Sequence, residues 1–256
     1  MKIVIIGGTG LIGSKLAKKL KGLGHLVIAA APSSGVNTIT GEGLREVMKD
    51  TQVVVDVANS PSFEDKAVME FFQTSGRNLM SSELAAGIKH HVALSIVNTD
   101  KLPDSGYLRA KTAQEAIIKK SGIPYTIVHS TQFFEFAKSI ADSATIGREI
   151  HLPPALFQPI ASDDVVAAMV KVATGPALNG TIEIGGPEKI PMDEFIRIYL
   201  HDRQDNRVIV PDKHAKYYGT ELNDQSLVPA DQSRLGKIRF AEWVKADLEA
   251  SLVTSK

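Results

Sequence analysis

Cysteine is absent from this 256-residue sequence, which also holds a single tryptophan. The absence of cysteine excludes a disulfide framework, a thiolate nucleophile and any cysteine-ligated metal centre. Neither sign of charge is in excess, because 29 lysine and arginine residues balance 29 aspartate and glutamate residues. No global field therefore draws the chain to nucleic acid or to an anionic membrane, and we expect neither as a partner.

Long apolar runs are also missing. The run at residues 3–6 breaks into glycines and is too short for the core of a signal peptide. No stretch approaches the roughly 18 apolar residues of a membrane span. We therefore expect a cytoplasmic protein, and the 43% of hydrophobic and 23% of charged residues predict a folded globular chain.

Short β-branched runs alternate with segments of helical periodicity over the first 130 residues. Both faces of these runs are apolar, which is typical of buried parallel strands. Strands joined by helices at this cadence indicate right-handed crossovers, and so an α/β fold with a Rossmann-type doubly wound parallel sheet. The predicted strands are 2–6, 26–31, 53–57, 92–96 and 125–129, and the predicted helices begin at 11, 43, 64 and 107.

Three glycines follow the first predicted strand at a spacing that suits a phosphate-binding turn. Residues 7–13 read Gly-Gly-Thr-Gly-Leu-Ile-Gly between a strand and a helix, a context that favours a binding motif over a plain glycine turn. Gly7 permits the tight turn, Gly10 lets the backbone approach a pyrophosphate, and Gly13 lets helix and strand pack closely. The anion would meet the helix N-terminus, so a dinucleotide site is predicted. Its other predicted contacts are Thr9, Leu11 and Ile12.

The second predicted strand ends without the acidic residue that would bind the ribose 2′-hydroxyl of NAD. Residues 29–35 read Ala-Ala-Ala-Pro-Ser-Ser-Gly, so no carboxylate repels a 2′-phosphate. Ser33 and Ser34 either receive that phosphate or only shape a turn, and no arginine stands nearby. We therefore expect NADP as the cofactor, with NAD as the alternative.

A tyrosine and a lysine stand four residues apart at the start of the helix predicted over 107–121. Tyr107 and Lys111 therefore share one helix face. Ser95 precedes them at the carboxyl end of a predicted strand, where ligands of open α/β sheets bind. A tyrosine with a pKa near 10 is a poor base at neutral pH, but a nearby lysine ammonium lowers that pKa. The pair suits proton transfer coupled to hydride transfer at a carbonyl carbon.

The glycine spacing together with Ser95, Tyr107 and Lys111 resembles the short-chain dehydrogenase/reductase superfamily. The GGTGLIG segment resembles its extended and atypical branches, including the NmrA-like group. The resemblance covers residues 1 to about 135 well and the remainder loosely. It implies that Tyr107 is the catalytic acid/base, that Lys111 tunes it and holds the nicotinamide ribose, and that Ser95 polarises the substrate carbonyl. NmrA-like relatives often keep the lysine and lose the tyrosine.

Two further segments leave predicted strands at their carboxyl ends. In the family, the loop matching residues 57–59 passes beside the cofactor, although here it also suits a helix cap. The segment matching 129–134 lines the substrate pocket in relatives, although its phenylalanines also suit a core. Two adjacent histidines at 90 and 91 point to opposite faces of a strand, so no metal site is predicted. The predicted cofactor contacts are Val57, Ala58 and Asn59, and the predicted substrate contacts are His129, Gln132, Phe133 and Phe134.

The strand and helix alternation loosens beyond about residue 145, where prolines become frequent. Helices are predicted at 163–173 and 192–203, with a strand at 181–184 between them. We therefore predict a dinucleotide-binding Rossmann domain over 1–145 and a smaller substrate-covering α/β lobe over 146–256, interleaved with the sheet edge.

Together these features predict an NAD(P)(H)-dependent oxidoreductase that transfers a hydride between nicotinamide and a small organic carbonyl, alcohol or quinone. Two alternatives share the glycine loop. One is a non-catalytic NADP-binding redox sensor of the NmrA-like kind, and the other is an NAD-dependent epimerase or dehydratase. The long apolar helix at 64–86 buries a broad face either in a homodimer or within the monomer.

Overall fold

The computed structural model describes residues 1–230 and 233–254. The chain forms two compact units. The first unit contains residues 1–129 and 165–182, and the second contains residues 130–164 and the described residues from 183 onward. The chain therefore passes from one unit to the other after residues 129, 164 and 182.

Helices and strands alternate along the chain, and each predicted element is present within a few residues of its predicted bounds. The first elements are β1 (Lys2–Ile6), α1 (Leu11–Gly22), β2 (Leu26–Ala30), α2 (Leu44–Met48), β3 (Val53–Asp56), α3 (Asp65–Ala86), β4 (His90–Ile96), α4 (Gly106–Lys120) and β5 (Tyr125–Ser130). They are followed by α5 (Ala137–Ser143), β6 (Thr145–Ile146), β7 (Glu149–Leu152), β8 (Leu156–Phe157), α6 (Ser162–Thr174), β9 (Gly180–Gly185), β10 (Ile190–Pro191), α7 (Met192–Asp202), β11 (Val208–Pro211), β12 (Arg234–Leu235) and α8 (Phe240–Thr254).

The main sheet has seven strands in the order β12-β9-β5-β4-β3-β1-β2. β1 pairs in parallel with β2 on one side and with β3 on the other, and β3 pairs in parallel with β4. The chain therefore builds outward from β1 in one direction and then reverses to continue from β3. This order confirms the predicted doubly wound α/β sheet, and it opens a crevice between the carboxyl ends of β1 and β3.

The central strands are buried on both faces, as their continuous apolar sequences predict. Ile3, Val4 and Ile5 of β1 are fully buried, and so are Val54 and Val55 of β3. Parallel strands require this composition because helices cover both faces of the sheet. The loops that follow β1 and β3 are thereby held on rigid supports.

The two units do not divide the chain at a single position. Residues 165–182 belong with the first unit, and two hydrogen bonds explain why. The backbone N–H of Asn179 donates to the carbonyl of Tyr125 over 2.8 Å, and that of Leu178 donates to the hydroxyl of Thr126 over 3.1 Å. Both bonds tie the segment before β9 to β5.

The second unit has an aromatic core. The rings of Phe195 and Phe240 stack with centroids 4.0 Å apart, and Phe134 lies 5.0 Å from Phe240. All three side chains are at most 1% exposed. Two small sheets, β8 with β10 and β6-β7-β11, complete this part of the fold. Within residues 1–230 and 233–254, no helix combines the length and apolar character needed to cross a membrane.

Candidate functional site

The glycine loop makes a close turn between β1 and α1. Gly7 has a φ of +76°, and a Cβ atom on it would lie 2.8 Å from the backbone of Ala58. A Cβ atom on Gly13 would lie 2.2 Å from the carbonyl oxygen of Gly7. Gly10 is different, because its nearest neighbour would be 3.4 Å away. Gly7 and Gly13 are therefore required by the turn itself, whereas Gly10 is required only if something else approaches it.

The first turn of α1 presents backbone N–H groups without a capping side chain. Gly10 is the N-cap residue, no side chain bonds to the helix start, and the first turn has no acidic residue. Thr9, Gly10 and Leu11 are exposed, whereas Ile12 is buried. The first four N–H groups of a helix lack intrahelical partners, and the helix dipole adds positive potential there. The loop therefore has the shape and the polarity to receive a pyrophosphate.

The loop after β3 lies against the glycine loop at the point where the strand order reverses. Asp56 ends β3 with 3% exposure, and its Oδ1 accepts a 3.0 Å hydrogen bond from the N–H of Ala58. Val57 and Ala58 are half-buried, and Asn59 is exposed. The crevice at such a reversal is where ligands of open α/β sheets bind.

Tyr107 joins this loop from the first turn of α4. Its hydroxyl donates a 3.0 Å hydrogen bond to Oδ1 of Asn59. Its ring packs against two others, with centroids 5.3 Å from Phe63 and 6.1 Å from Phe72. Since Ala58 abuts Gly7, two consecutive residues connect the glycine loop to Tyr107.

Lys111 lies one turn after Tyr107 and is buried, with 3% exposure. Its ammonium donates to the carbonyl of Leu94 over 2.9 Å and to Oε1 of Gln114 over 2.5 Å. The ring of Phe72 lies 4.6 Å from the nitrogen. Burial lowers the pKa of Lys111 to about 8, and the negative charges of Asp56 and Glu115 oppose this shift.

Ser95 contacts a different group. Its hydroxyl donates a 2.6 Å hydrogen bond to Oε1 of Glu115, which also accepts a 2.8 Å bond from His129. Oε2 of Glu115 lies 3.1 Å from the ammonium of Lys119. Burial alone would raise the pKa of Glu115, but the hydrogen bond and charge of His129, with the bonds from Ser95 and Lys119, lower it to about 2. A cavity of about 200 Å³ adjoins this cluster, and its lining includes Thr99, Asp100, Thr112, Glu115, Ala116, Lys119 and His129.

The three predicted catalytic side chains therefore have separate hydrogen-bond partners. Tyr107 bonds to the loop after β3, Lys111 to Leu94 and Gln114, and Ser95 to Glu115. The predicted cofactor residue Asn59 is brought to Tyr107. Ser95 would have to exchange its bond with Glu115 before it could bond to a substrate oxygen.

The two serines after β2 have unlike surroundings. The hydroxyl of Ser34 accepts a 2.9 Å hydrogen bond from the N–H of Ala31 and lies 2.9 Å from the carbonyl oxygen of the same residue. Ser33 is exposed on the short 3₁₀ turn that covers Pro32–Ser34. Ser34 thus shapes the turn, and Ser33 is the better placed of the two to meet a phosphate.

The predicted substrate residues fall in both units. His129 ends the first unit, and its side chain is 13% exposed beside Glu115. In the second unit, Gln132 is buried with 7% exposure, and its Oε1 has no hydrogen-bond partner among the described residues. Phe133 stacks on Phe136 with centroids 5.2 Å apart. Phe134 belongs to the aromatic core of its unit and is 1% exposed.

The two adjacent histidines on β4 make unlike contacts. Nδ1 of His91 lies 2.9 Å from a carboxylate oxygen of Glu83, and both side chains are at most 1% exposed. Burial opposes the charged imidazole, but the charge and hydrogen bond of Glu83 outweigh it and raise the pKa of His91. His90 lies on the other face and bonds to Thr126 over 2.9 Å. Within the described ranges, no group of three or more potential ligands is arranged to hold a metal.

Three buried polar residues of this region carry no motif in the sequence. Asp56, Gln114 and Glu115 bond to predicted site residues or to their loops. Gln114 and Glu115 follow Lys111 by three and four residues, so the helix period alone places them on its face. Asp56 stands at the carboxyl end of an apolar strand, which is a signal for a site residue.

Sequence comparison finds related proteins over part of the chain. No protein-family model matches the chain. The photosystem II assembly factor Ycf39 of Cyanophora paradoxa is 26% identical over 165 residues, which cover 57% of this chain and 51% of that protein. Ycf39 of Synechocystis sp. is 22% identical over 149 residues, which cover 53% and 46%. The chain thus spans about half the length of the curated relatives it matches.

Structural comparison extends over the whole chain. MoeE5 in complex with UDP-glucose and NAD has a TM-score of 0.76 at 13% identity, covering 100% of both chains. UDP-glucose 4-epimerase of Thermotoga maritima has a TM-score of 0.73 at 16% identity, again covering 100% of both. The dTDP-4-dehydrorhamnose reductase of Bacillus anthracis, in complex with NADP, has a TM-score of 0.70 at 14% identity and covers 100% of this chain and 99% of that one. These structures share the predicted Rossmann-type α/β fold over the whole chain.

Proposed function

We propose that this chain binds a nicotinamide dinucleotide at the glycine loop and transfers a hydride between it and a small organic carbonyl, alcohol or quinone. The observation that carries the proposal is the connection made by residues 58 and 59. Ala58 abuts Gly7, and Asn59 accepts the hydrogen bond of Tyr107. The predicted acid/base thus borders the same loop as the predicted pyrophosphate site.

The cofactor is proposed to lie over Gly10 and the start of α1. The open space at Gly10 and the uncapped helix N-terminus fit an anion. NADP is favoured over NAD, because no carboxylate follows β2 and Ser33 is exposed there. The presence of NAD in one structural neighbour and NADP in another supports the class of cofactor.

Tyr107 is proposed to move the proton. The nicotinamide, when bound, supplies or accepts the hydride. Tyr107 donates its phenolic proton to the carbonyl oxygen during reduction and takes a proton from the hydroxyl during oxidation. In either direction Tyr107 gives up its hydrogen bond to Asn59 when its hydroxyl meets the substrate oxygen, and the positive charge of Lys111 favours the phenolate. Ser95 serves as oxyanion partner only after it releases Glu115.

A cofactor-consumption assay tests the proposal. The purified chain is mixed with NADPH or NADH and a panel of aldehydes, ketones and quinones, and the loss of absorbance at the reduced nicotinamide is followed. We expect turnover with at least one member, and tighter binding of NADPH than of NADH in a fluorescence titration. A glycine-loop variant that no longer binds the cofactor measurably should show no turnover.

A second candidate is a non-catalytic, dinucleotide-binding protein that acts on a protein partner. It is favoured by one observation, namely that both curated relatives are assembly factors. Cofactor binding with no turnover across the whole panel would support this candidate over the oxidoreductase.

A third candidate is an NAD-dependent epimerase or dehydratase. It is favoured by two structural neighbours, the UDP-glucose 4-epimerase described above and an NAD-dependent NDP-hexosamine 5,6-dehydratase. It predicts that NAD copurifies with the protein, because the cofactor is regenerated in each cycle. Cofactor-free protein that consumes NADPH stoichiometrically with a carbonyl substrate would contradict it.

A further inference from the structure

A chain of three hydrogen bonds connects the Lys111 ammonium to the loop after β3. We infer that Asp56 and Gln114 are positioning residues that keep the Lys111 ammonium charged and fix it relative to the loop that abuts Gly7. The role assigned to Lys111 rests on the proposed function, whereas the connection itself is a property of the cofactor-free protein.

The bonds converge on the carboxylate of Asp56, two of them from the side of Lys111 and one from the loop after β3. Lys111 donates to Oε1 of Gln114 over 2.5 Å, Nε2 of Gln114 donates to Oδ2 of Asp56 over 2.9 Å, and the N–H of Ala58 donates to Oδ1 of Asp56 over 3.0 Å. All three side chains are at most 3% exposed. A displacement of Lys111 therefore breaks a bond in a dry environment, where an unpaired polar group costs most.

The chemistry of the three groups allows a single arrangement. An ammonium only donates, an ionised carboxylate only accepts, and a primary amide does one at each end. Gln114 therefore suits the gap between an ammonium and a carboxylate, and its amide orientation follows from the two partners. A leucine or methionine of similar length would satisfy neither end.

Charge supports the same assignment. Burial lowers the pKa of Lys111 to about 8, and the negative charges of Asp56 on β3 and Glu115 on α4 are what oppose the loss of its proton. The charge of Asp56 also raises the pKa of Glu83 on α3, by repulsion, and that of His91 on β4, by attraction. The ammonium also meets the face of the Phe72 ring, a contact that favours the charged form. Without Asp56, the amine would lose its proton at a lower pH.

Direct titration of Lys111 tests the inference in the full chain without cofactor. Lysine is labelled with ¹³C at the ε carbon, the Lys111 signal is assigned by its loss in Lys111→Arg, and its chemical shift is followed against pH. We expect Asp56→Asn to move the Lys111 midpoint down by about one pH unit or more, a tenfold change in the dissociation constant. Asp50→Asn is the matched control, because Asp50 is exposed just before the other end of β3 and the same charge is removed.

A second variant keeps the test decisive where Asp56→Asn does not fold. Gln114→Met removes the relay but leaves the carboxylate, and we expect a lower Lys111 midpoint and a more mobile ε-methylene group. The inference is overturned if a folded Asp56→Asn or Gln114→Met protein has the same Lys111 midpoint as the Asp50→Asn control.

Turnover provides a readout that separates this inference from the proposed function. In an active enzyme, Asp56→Asn should lower kcat more than it raises KM, and the loss of activity at high pH should begin about one pH unit lower. If the Lys111 midpoint shifts in Asp56→Asn but the wild-type protein turns over no substrate, the oxidoreductase proposal is overturned and the positioning role stays intact. An unchanged midpoint would overturn the positioning role whatever the activity.

Discussion

The hydroxyl of Tyr107 donates a 3.0 Å hydrogen bond to Oδ1 of Asn59, 48 positions earlier in the chain. This bond links the first turn of α4 to the loop after β3. The same amide oxygen also accepts from the N–H of Ser60 over 3.0 Å, so Asn59 is held by its own loop while it holds Tyr107. The tyrosine ring is thus held in place before any ligand arrives, but its single phenolic proton must leave Asn59 before it can pass to a substrate oxygen.

Replacement of Tyr107 by phenylalanine tests its role as acid/base. Tyr107→Phe removes the transferable proton, and we expect kcat to fall by a factor of about 10² to 10⁴. Loss of the bond to Asn59 should lower the free energy of unfolding by about 1 kcal/mol. Cofactor affinity, measured by fluorescence titration, should stay within a factor of about three of wild type, because the glycine loop is untouched.

Tyr125→Phe is the control for Tyr107→Phe. Tyr125 is half-buried at the start of β5, so the same hydroxyl is removed away from the crevice. Equal activity losses in the two variants would count against a catalytic Tyr107.

Replacement of Gly10 by alanine separates cofactor binding from folding. Gly10 has a φ of −77°, which alanine adopts freely, and the added Cβ would lie 3.4 Å from its nearest neighbour. The free energy of unfolding should therefore change by less than about 1 kcal/mol. The methyl group would stand where the pyrophosphate must approach, and we expect the Kd for NADPH to rise about tenfold or more.

Gly22→Ala is the matched control, since it adds the same methyl group in the last turn of α1, where nothing lies within 4 Å. It should leave the Kd unchanged and stabilise the helix slightly. An unaltered Kd in Gly10→Ala would show that the ligand does not cross the loop at this point.

Glu115 predicts a specific acid sensitivity. Its pKa falls from an ordinary value of 4.5 to about 2 in the folded chain. A carboxylate with a lowered pKa stabilises the fold fully above its unfolded pKa, and that contribution is lost as the pH falls from about 4.5 towards 2. The difference amounts to at most about 3 kcal/mol.

Urea unfolding at pH 6, 4 and 3 measures this loss. We expect Glu115→Gln to reduce stability at pH 6 and to flatten the decline below pH 4.5. Glu70→Gln, at an exposed position on α3, should decline as steeply as wild type. A Glu115→Gln protein that declines with the wild-type slope would refute the assignment.

The buried pair of Glu83 and His91 predicts the opposite pH dependence. Because the folded pKa of His91 is raised, its contribution is present below about pH 6.5 and is lost as the pH rises through the folded value. Glu83→Leu leaves an imidazole without its carboxylate and should cost about 3–5 kcal/mol. Combining it with His91→Leu should recover much of that loss and remove the dependence between pH 6 and 9, measured by urea unfolding.

Much of the fold follows from local sequence signals. The strands of the main sheet are continuous apolar runs, and the glycine loop, the long helix α3 and the turn before β5 carry clear stop signals. These features depend on residues close together in the chain. Within such a segment, the period of apolar residues distinguishes a strand from a helix. The strands of the second unit are harder to predict from the sequence. Strands β6, β8, β10 and β12 have two residues each, too few to show any period.

The candidate site shows the same division. Gly7, Gly10 and Gly13 form a local motif, and the structure gives each a separate steric setting. The bond from Tyr107 to Asn59 and that from Ser95 to Glu115 span 48 and 20 positions. Such partners depend on strand order and helix rotation in three dimensions, which a single sequence does not encode at fixed spacing. The position of Ser95 at the end of a strand predicts a catalytic group, but it does not reveal the hydrogen bond to Glu115.

The threading of the chain through both units determines how it can be divided. Residues 165–182 return to the first unit, and the N–H groups of Leu178 and Asn179 bond to β5. A fragment that ends at residue 145 would leave the carbonyl of Tyr125 and the hydroxyl of Thr126 without these partners. It would also expose β5 as an unpaired edge strand, which promotes aggregation. The first unit can therefore be isolated only by joining residue 129 to the 165–182 segment through a new linker, and a stop codon at 145 should yield aggregating protein.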